Sequence, residues 1–244
     1  MARRRRRTRY RGWLLLVPAL VLAFAFWAFS RMRPQDLPWT ALDLSAPVGV
    51  FTGRKLAALG DDAPHCRALL ATAGIEYETM PVIDPGGECR VENALRPGGG
   101  ARTILFRPRS PAITCPVAAG LALWEWHVLQ PAARQVFGQR VEEIEHLGSY
   151  NCRRMYGRDD APWSEHASAN ALDIAGFVLA DGTRINVKRD WAEGGRKATF
   201  LRLARDGACG VFTTVLSPDY NAAHADHFHL DQADRGLFGW RACR

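Results

Sequence analysis

Seventeen consecutive uncharged residues, Trp13 to Phe29, come directly after seven arginines at positions 3–7, 9 and 11. This pairing dictates where the rest of the chain is built: the arginines stay in the cytoplasm, the apolar run enters the membrane, and the chain beyond it is exported. As a helix the run rises about 25 Å, the lower limit for crossing a hydrocarbon core about 30 Å thick. Ala28-Phe29-Ser30 has the small-x-small form of a signal-peptidase site, so a cleaved signal is the competing reading. Length and the aromatic rim favour a retained anchor. The expected plan is a basic cytoplasmic tail over 1–12, a transmembrane signal-anchor over 13–30, a proline-rich linker over 31–60 and a folded domain over 61–244.

The arginine tail accounts for the whole formal net charge of +7, which leaves the exported part near neutral. A nucleic-acid-binding face is therefore disfavoured, and no nucleic-acid partner is expected. With 48% hydrophobic residues the exported part can fill a sizeable core. Six cysteines, Cys66, Cys89, Cys115, Cys152, Cys209 and Cys243, all lie beyond the anchor. In an oxidising compartment they predict three disulfides with fifteen connectivities open. Nearness in sequence favours Cys66 with Cys89, and Cys152–Cys209 with Cys115–Cys243 would complete one such set.

Asp62 followed by Pro64 predicts a helix that buries Cys66, Leu69, Leu70 and Ala73 until Gly74 stops it. Extended segments are expected at 77–83 and 104–106, with a loop at Arg96-Pro97-Gly98-Gly99-Gly100 between them. A second helix starts after Thr114 and buries Val117, Leu121, Trp124, Val128 and Leu129, with Pro131 as its interruption. Strands are expected at 141–144, 174–180, 184–187 and 211–216. Asp181-Gly182 forms the hairpin turn between the second and third of these. A last helix covers 198–205. Together these predict an α+β domain with a small antiparallel sheet, packed by helices, behind an N-terminal transmembrane helix.

The chemistry concentrates in two stretches. Pro162 to Asp173 reads PWSEHASANALD, with His166 and Asp173 seven positions apart, and His227-Phe228-His229 lies downstream. On a strand, His227, His229 and Asp231 share one face while Phe228 and Leu230 face the core. Three ligands from His and Asp leave a zinc ion one position for water, whose pKa falls towards 7. Either histidine of the pair could take the metal, with the other reaching that water as general base.

Ser164-Glu165-His166-Ala167-Ser168-Ala169-Asn170-Ala171-Leu172-Asp173 resembles the S-x-H-x-x-G-x-A-x-D signature of the zinc D-alanyl-D-alanine peptidases in the lysostaphin, D-Ala-D-Ala metallopeptidase and hedgehog superfamily. His227-x-His229 resembles their second signature. More closely, GSYNCR, SEHASANALDIAGF and the span from Ser217-Pro218-Asp219-Tyr220-Asn221 through His224 to DHFHLD resemble the bacterial extensin-like protein C-terminal family, over roughly Cys66 to the C-terminus. The resemblance implies Zn2+ bound by His166, Asp173 and His229, with His227 as the catalytic histidine and Arg153 polarising the scissile carbonyl or holding a substrate carboxylate. Arg154 is the competing arginine. Ser164 is expected to orient the loop, and Asp226 and Asp231 to fix imidazole tautomers. The implied function is a zinc metallopeptidase of the periplasm, anchored in the inner membrane and acting on peptidoglycan peptides at D-amino-acid bonds during cell-wall remodelling. The rival is a non-catalytic envelope protein that binds wall peptide or a partner, with structural or no metal, and a fourth ligand such as His224 would favour it. One departure stands out: the signature glycine falls on Ala169, which lacks free access to positive φ.

Overall fold

The structure is a computed structural model that describes residues 4–236 and 241–244. Helix α1 (Arg4–Met32) begins inside the arginine run, so tail and apolar run form one helix; residues 1–3 of the tail lie outside the described residues. Its segment Trp13–Met32 has 20 residues, none buried against the rest of the chain. At about 30 Å it is long and apolar enough to cross a membrane.

The stretch 31–60 departs from the linker reading. It contains α2 (Thr52–Ala57), and Leu42, Leu44, Leu56 and Leu59 belong to the main core. Its prolines conceal apolar positions: Leu42 and Leu44 flank Asp43, where a turn closed by the Ala46 amide on the Asp43 carbonyl begins, and Pro34 opens a 3-10 turn. Helix α3 (Ala63–Thr72) starts as predicted, with the Asp62 carboxylate accepting the His65 amide at 3.0 Å.

Strand β1 (Ile75–Thr79) pairs antiparallel with β2 (Leu95–Gly100). The second of these is the Arg96–Gly100 stretch expected to be a loop. A two-stranded ribbon is all edge, which is where Pro97 can sit without breaking a ladder. Gly100 is required there because a Cβ would collide with the Gly74 carbonyl.

Among the described residues the main sheet has seven strands. β3 (Leu105–Arg107), β4 (Val141–Gly148), β5 (Ala171–Leu179), β8 (Phe228–Asp231), β7 (Thr214–Leu216) and β9 (Ala242–Cys243) lie in that order, with β6 (Arg184–Asn186) paired to β5 across the predicted hairpin. The α+β class stands, but the sheet is larger than expected and mixed: β3 with β4 and β7 with β9 run parallel. Helices α4 (Cys115–Trp124), α5 (Gln130–Phe137), α6 (Val187–Glu193) and α7 (Gly195–Ala208) complete the domain. All ten residues of α4 are buried, so it is a core helix rather than an amphipathic one. Pro131 does not interrupt the helical path. A wider π turn over Glu125–Leu129 absorbs its missing donor and carries the chain into α5. At the centre, Trp124 meets Phe177 and Phe212 edge-on and donates its indole N–H to the Ala204 carbonyl at 2.9 Å.

The disulfides join Cys66–Cys115, Cys89–Cys152 and Cys209–Cys243, so the pairing favoured by sequence nearness is wrong at every bond. Spatial neighbours decide. Cys66 on α3 faces the start of α4. Cys209 comes just after α7 and lies beside β9, because β9 is threaded next to β7. Cys89–Cys152 clips the 149–153 loop to the turn before Arg90, and the Tyr150 hydroxyl donates to the Cys89 carbonyl at 3.1 Å. Replacing Cys89 and Cys152 together by serine is expected to cost about 2–5 kcal/mol in denaturant unfolding, because a loop of 63 residues is then released in the unfolded chain.

Candidate functional site

One row across the sheet builds the site. On β5 and β8, Asp173 and His229 are direct cross-strand partners; Gly148 of β4 pairs with Asp173 on one side and Leu216 of β7 with His229 on the other. The alternation read from sequence holds: Phe228 and Leu230 are fully buried in the core, and His229 turns to the opposite face.

His166 arrives from the turn that precedes β5. Ser164 caps it by accepting the His166 amide at 3.3 Å. The turn ends at Ala169, which is fully buried at φ 55° and ψ 22°. The position where the signature has glycine therefore does take the left-handed conformation, and alanine occupies it at a strain cost of about 1–2 kcal/mol. Its packing against Val91 and Ala94 holds it there.

The side chains converge tightly. His166 Nε2 lies 3.1 Å from His229 Nδ1 and 3.2 Å from Asp173 Oδ2, and His229 Nδ1 lies 3.0 Å from Asp173 Oδ1. Ligand atoms about 2.0–2.1 Å from a tetrahedral zinc sit about 3.3 Å apart, so this spacing fits such an ion. Among the described residues, these three form the one group of metal-ligating side chains whose ligand atoms all lie within 4.8 Å of one another.

Each ring is oriented from behind. His166 Nδ1–H donates to the Ser149 carbonyl at 2.5 Å, which leaves Nε2 facing the cluster. His229 Nε2–H donates to Asp231 at 3.0 Å, and His227 Nδ1–H donates to Asp226 at 2.8 Å. Each aspartate thus fixes which nitrogen of its imidazole carries the proton facing it. His227 Nε2 is left pointing inward, 3.6 Å from Asp173 Oδ1. His224 lies beside His227 and His229, with its Nδ1–H donating to Asn221 at 2.7 Å.

Burial works against charge on both Asp173 and His229, and their mutual hydrogen bonds win. His166 and His229 hold the Asp173 carboxyl far below the usual range. Asp173 and Asp231 push His229 up to about 9. His224 is driven down to about 4 by burial and by the neighbouring His227 and His229.

Arg153 and Arg154 separate clearly. Arg153 lines the cleft with His166, His224 and His227. Arg154 stacks 4.4 Å above the Trp163 ring and donates to the Ala161 carbonyl at 2.7 Å. Sequence reasoning did not single out Tyr156, which also lines the cleft, or Tyr220, whose hydroxyl lies 3.5 Å from that of Tyr156. It also missed the Ser149 carbonyl. GSYNCR carried the only signal for Ser149 and SPDYN the only one for Tyr220, as motifs without an assigned role, and Tyr156 lies in neither.

A family model described as Extensin-like protein C-terminus matches residues 64–244. The chain belongs to this family. No curated protein and no solved structure matches the chain. The extensin-like domain so defined contains the entire cluster and all three disulfides. Its match begins at the start of α3, past the stretch 31–60 that packs onto it.

Proposed function

We propose that the extensin-like domain is a zinc metallopeptidase, held by α1 at the periplasmic face of the inner membrane, that cuts peptidoglycan peptides at D-amino-acid bonds. The observation that carries the reading is the triangle of His166 Nε2, Asp173 and His229 Nδ1 at 3.0–3.2 Å, with each ring already turned by a partner behind it. The signature resemblance at Ser164–Asp173 and at His227–His229 supports the peptide substrate.

His166, Asp173 and His229 would hold zinc, which would supply a Lewis acid and bring the pKa of water towards 7. His227 takes the proton from the attacking water at Nε2, since its Nδ1–H is committed to Asp226. The water oxygen bonds to the scissile carbon, the carbon–nitrogen bond breaks, and His227 returns the proton to the leaving amine. Arg153 donates to the carbonyl oxygen as charge grows there, a task suited to a guanidinium that never loses its proton. Arg154 is tied to Trp163 and does not share it.

His229 carries its own prediction. With a pKa raised to about 9 it is an imidazolium at neutral pH, and a metal must displace the Nδ1 proton. Zinc uptake at pH 7 is expected to release about one proton, and affinity to weaken about tenfold per pH unit as pH falls below 9. Calorimetry in buffers of different ionisation enthalpy measures this.

A non-catalytic wall-binding protein is the second reading, and one observation favours it: His229 is held between Asp173 and Asp231 at 3.0 Å each, a pairing that can serve the fold alone. Against it, His224 stays outside the ligand triangle, so no fourth protein ligand closes the site among the described residues. Digestion of purified cross-linked muropeptides separates the two: the peptidase reading expects cleavage, the binding reading only retention.

A further inference from the structure

Trp39 is a residue of the exported part, yet its ring lies 6.5 Å from that of Phe26, inside the apolar run of α1. The membrane boundary on this side is marked by Arg31, whose guanidinium stacks 5.7 Å over the Trp27 ring. Phe26 is five residues earlier, about 7.5 Å deeper along the helix axis. The Arg31 guanidinium reaches back over Trp27, so a ring beside Phe26 lies at about the level of that charge, at the exit end of the apolar run. The indole is 68% exposed, with nothing of this chain covering its outer face among the described residues, and Val50 is 63% exposed.

The junction is also stiff. The Arg33 amide continues the helix by donating to Phe29 at 2.8 Å, and Arg33 pairs with Asp36. Lys55 Nζ, on α2, donates to the Pro34 carbonyl and the Thr40 hydroxyl, each at 2.9 Å. Next to Lys55, Leu56 is fully buried in the main core, so α2 ties the chain leaving α1 to the domain.

We propose that the segment 37–50 docks on the lipid bilayer, with the Trp39 ring seated in the interfacial zone beside Phe26. The extensin-like domain is then held flush against the membrane and does not swing on a tether. Trp favours this zone because its ring is apolar and its N–H can stay hydrated. The inference rests on α1 being a retained anchor and is independent of whether the site cuts peptide bonds.

The test uses the full chain in phosphatidylcholine nanodiscs. All six native cysteines are paired, so a single introduced cysteine takes a fluorophore selectively. Probes at Trp39→Cys, at Pro38→Cys, which leaves Trp39 in place, and at Phe26→Cys are compared with and without lipids bearing a nitroxide near the headgroup. Docking predicts quenching at 38 or 39 within about twofold of that at 26. Quenching at 26 with none at 38 and 39 would overturn the docking and leave the anchor intact. No quenching at any of the three would overturn both.

Discussion

Replacing His227 by alanine is expected to lower turnover of a wall peptide by about 10²–10⁴-fold while zinc affinity stays within about threefold of the unaltered chain. The two readouts separate because His227 lies next to the ligand triangle and not in it. Its Nε2 is 3.6 Å from Asp173 Oδ1, whereas His166 Nε2 and His229 Nδ1 lie 3.1 Å from each other and 3.2 and 3.0 Å from the two Asp173 oxygens. Steady-state cleavage paired with a chelator-competition titration measures both. Loss of zinc together with activity would move His227 into the ligand set, and unchanged turnover would remove it from the chemistry.

Asp173→Ala is expected to do more, because in the proposed site this carboxylate would serve both the metal and the fold. Removing partners one shell out costs about 10–100-fold in metal affinity, so losing a direct ligand is expected to exceed about 100-fold. Without metal, Asp173 is also the acceptor for both His166 and His229 deep in the cleft. Deleting one side of a buried ionic contact costs about 3–5 kcal/mol, visible as an earlier denaturant midpoint even in chelator. Asp173→Asn is the milder comparison, since it keeps the volume and one acceptor oxygen.

The site was legible in sequence where side-chain identity and strand geometry coincide. His229 could be placed on a strand because Phe228 and Leu230 report which face is buried, and the histidine between them must then face outward, whereas Asp173 was read just ahead of a strand that in fact starts at Ala171. Ser164, Asp226 and Asp231 each have one short side chain near a ring or an amide, so their partners are local. What escaped depends on distant chain meeting distant chain. The Ser149 carbonyl that orients His166 has no residue-type signature at all. The disulfide partners are set by α3 meeting α4 and by β9 lying beside β7, contacts that spacing along the chain cannot encode. The segment 31–60 was misread because its prolines advertise irregular backbone, while four leucines that bury into the core carry no period long enough to register. Arg153 and Arg154 are equivalent as letters and distinct once Trp163 lies under one of them.

Ala169 shows the limit of reading a departure as a loss. The left-handed turn survives with alanine because packing on Val91 and Ala94 holds the backbone where glycine would rest unaided. The strain stays in the turn, and the His166 and Asp173 it separates are still delivered to one place.

The most direct measurement is zinc content and cross-linked muropeptide digestion on the same preparation of the full chain. The account predicts one zinc per chain and peptide cleavage that stops on chelation and returns when zinc is restored. A preparation that takes up no zinc, or one that holds zinc and leaves the muropeptides intact, would contradict it.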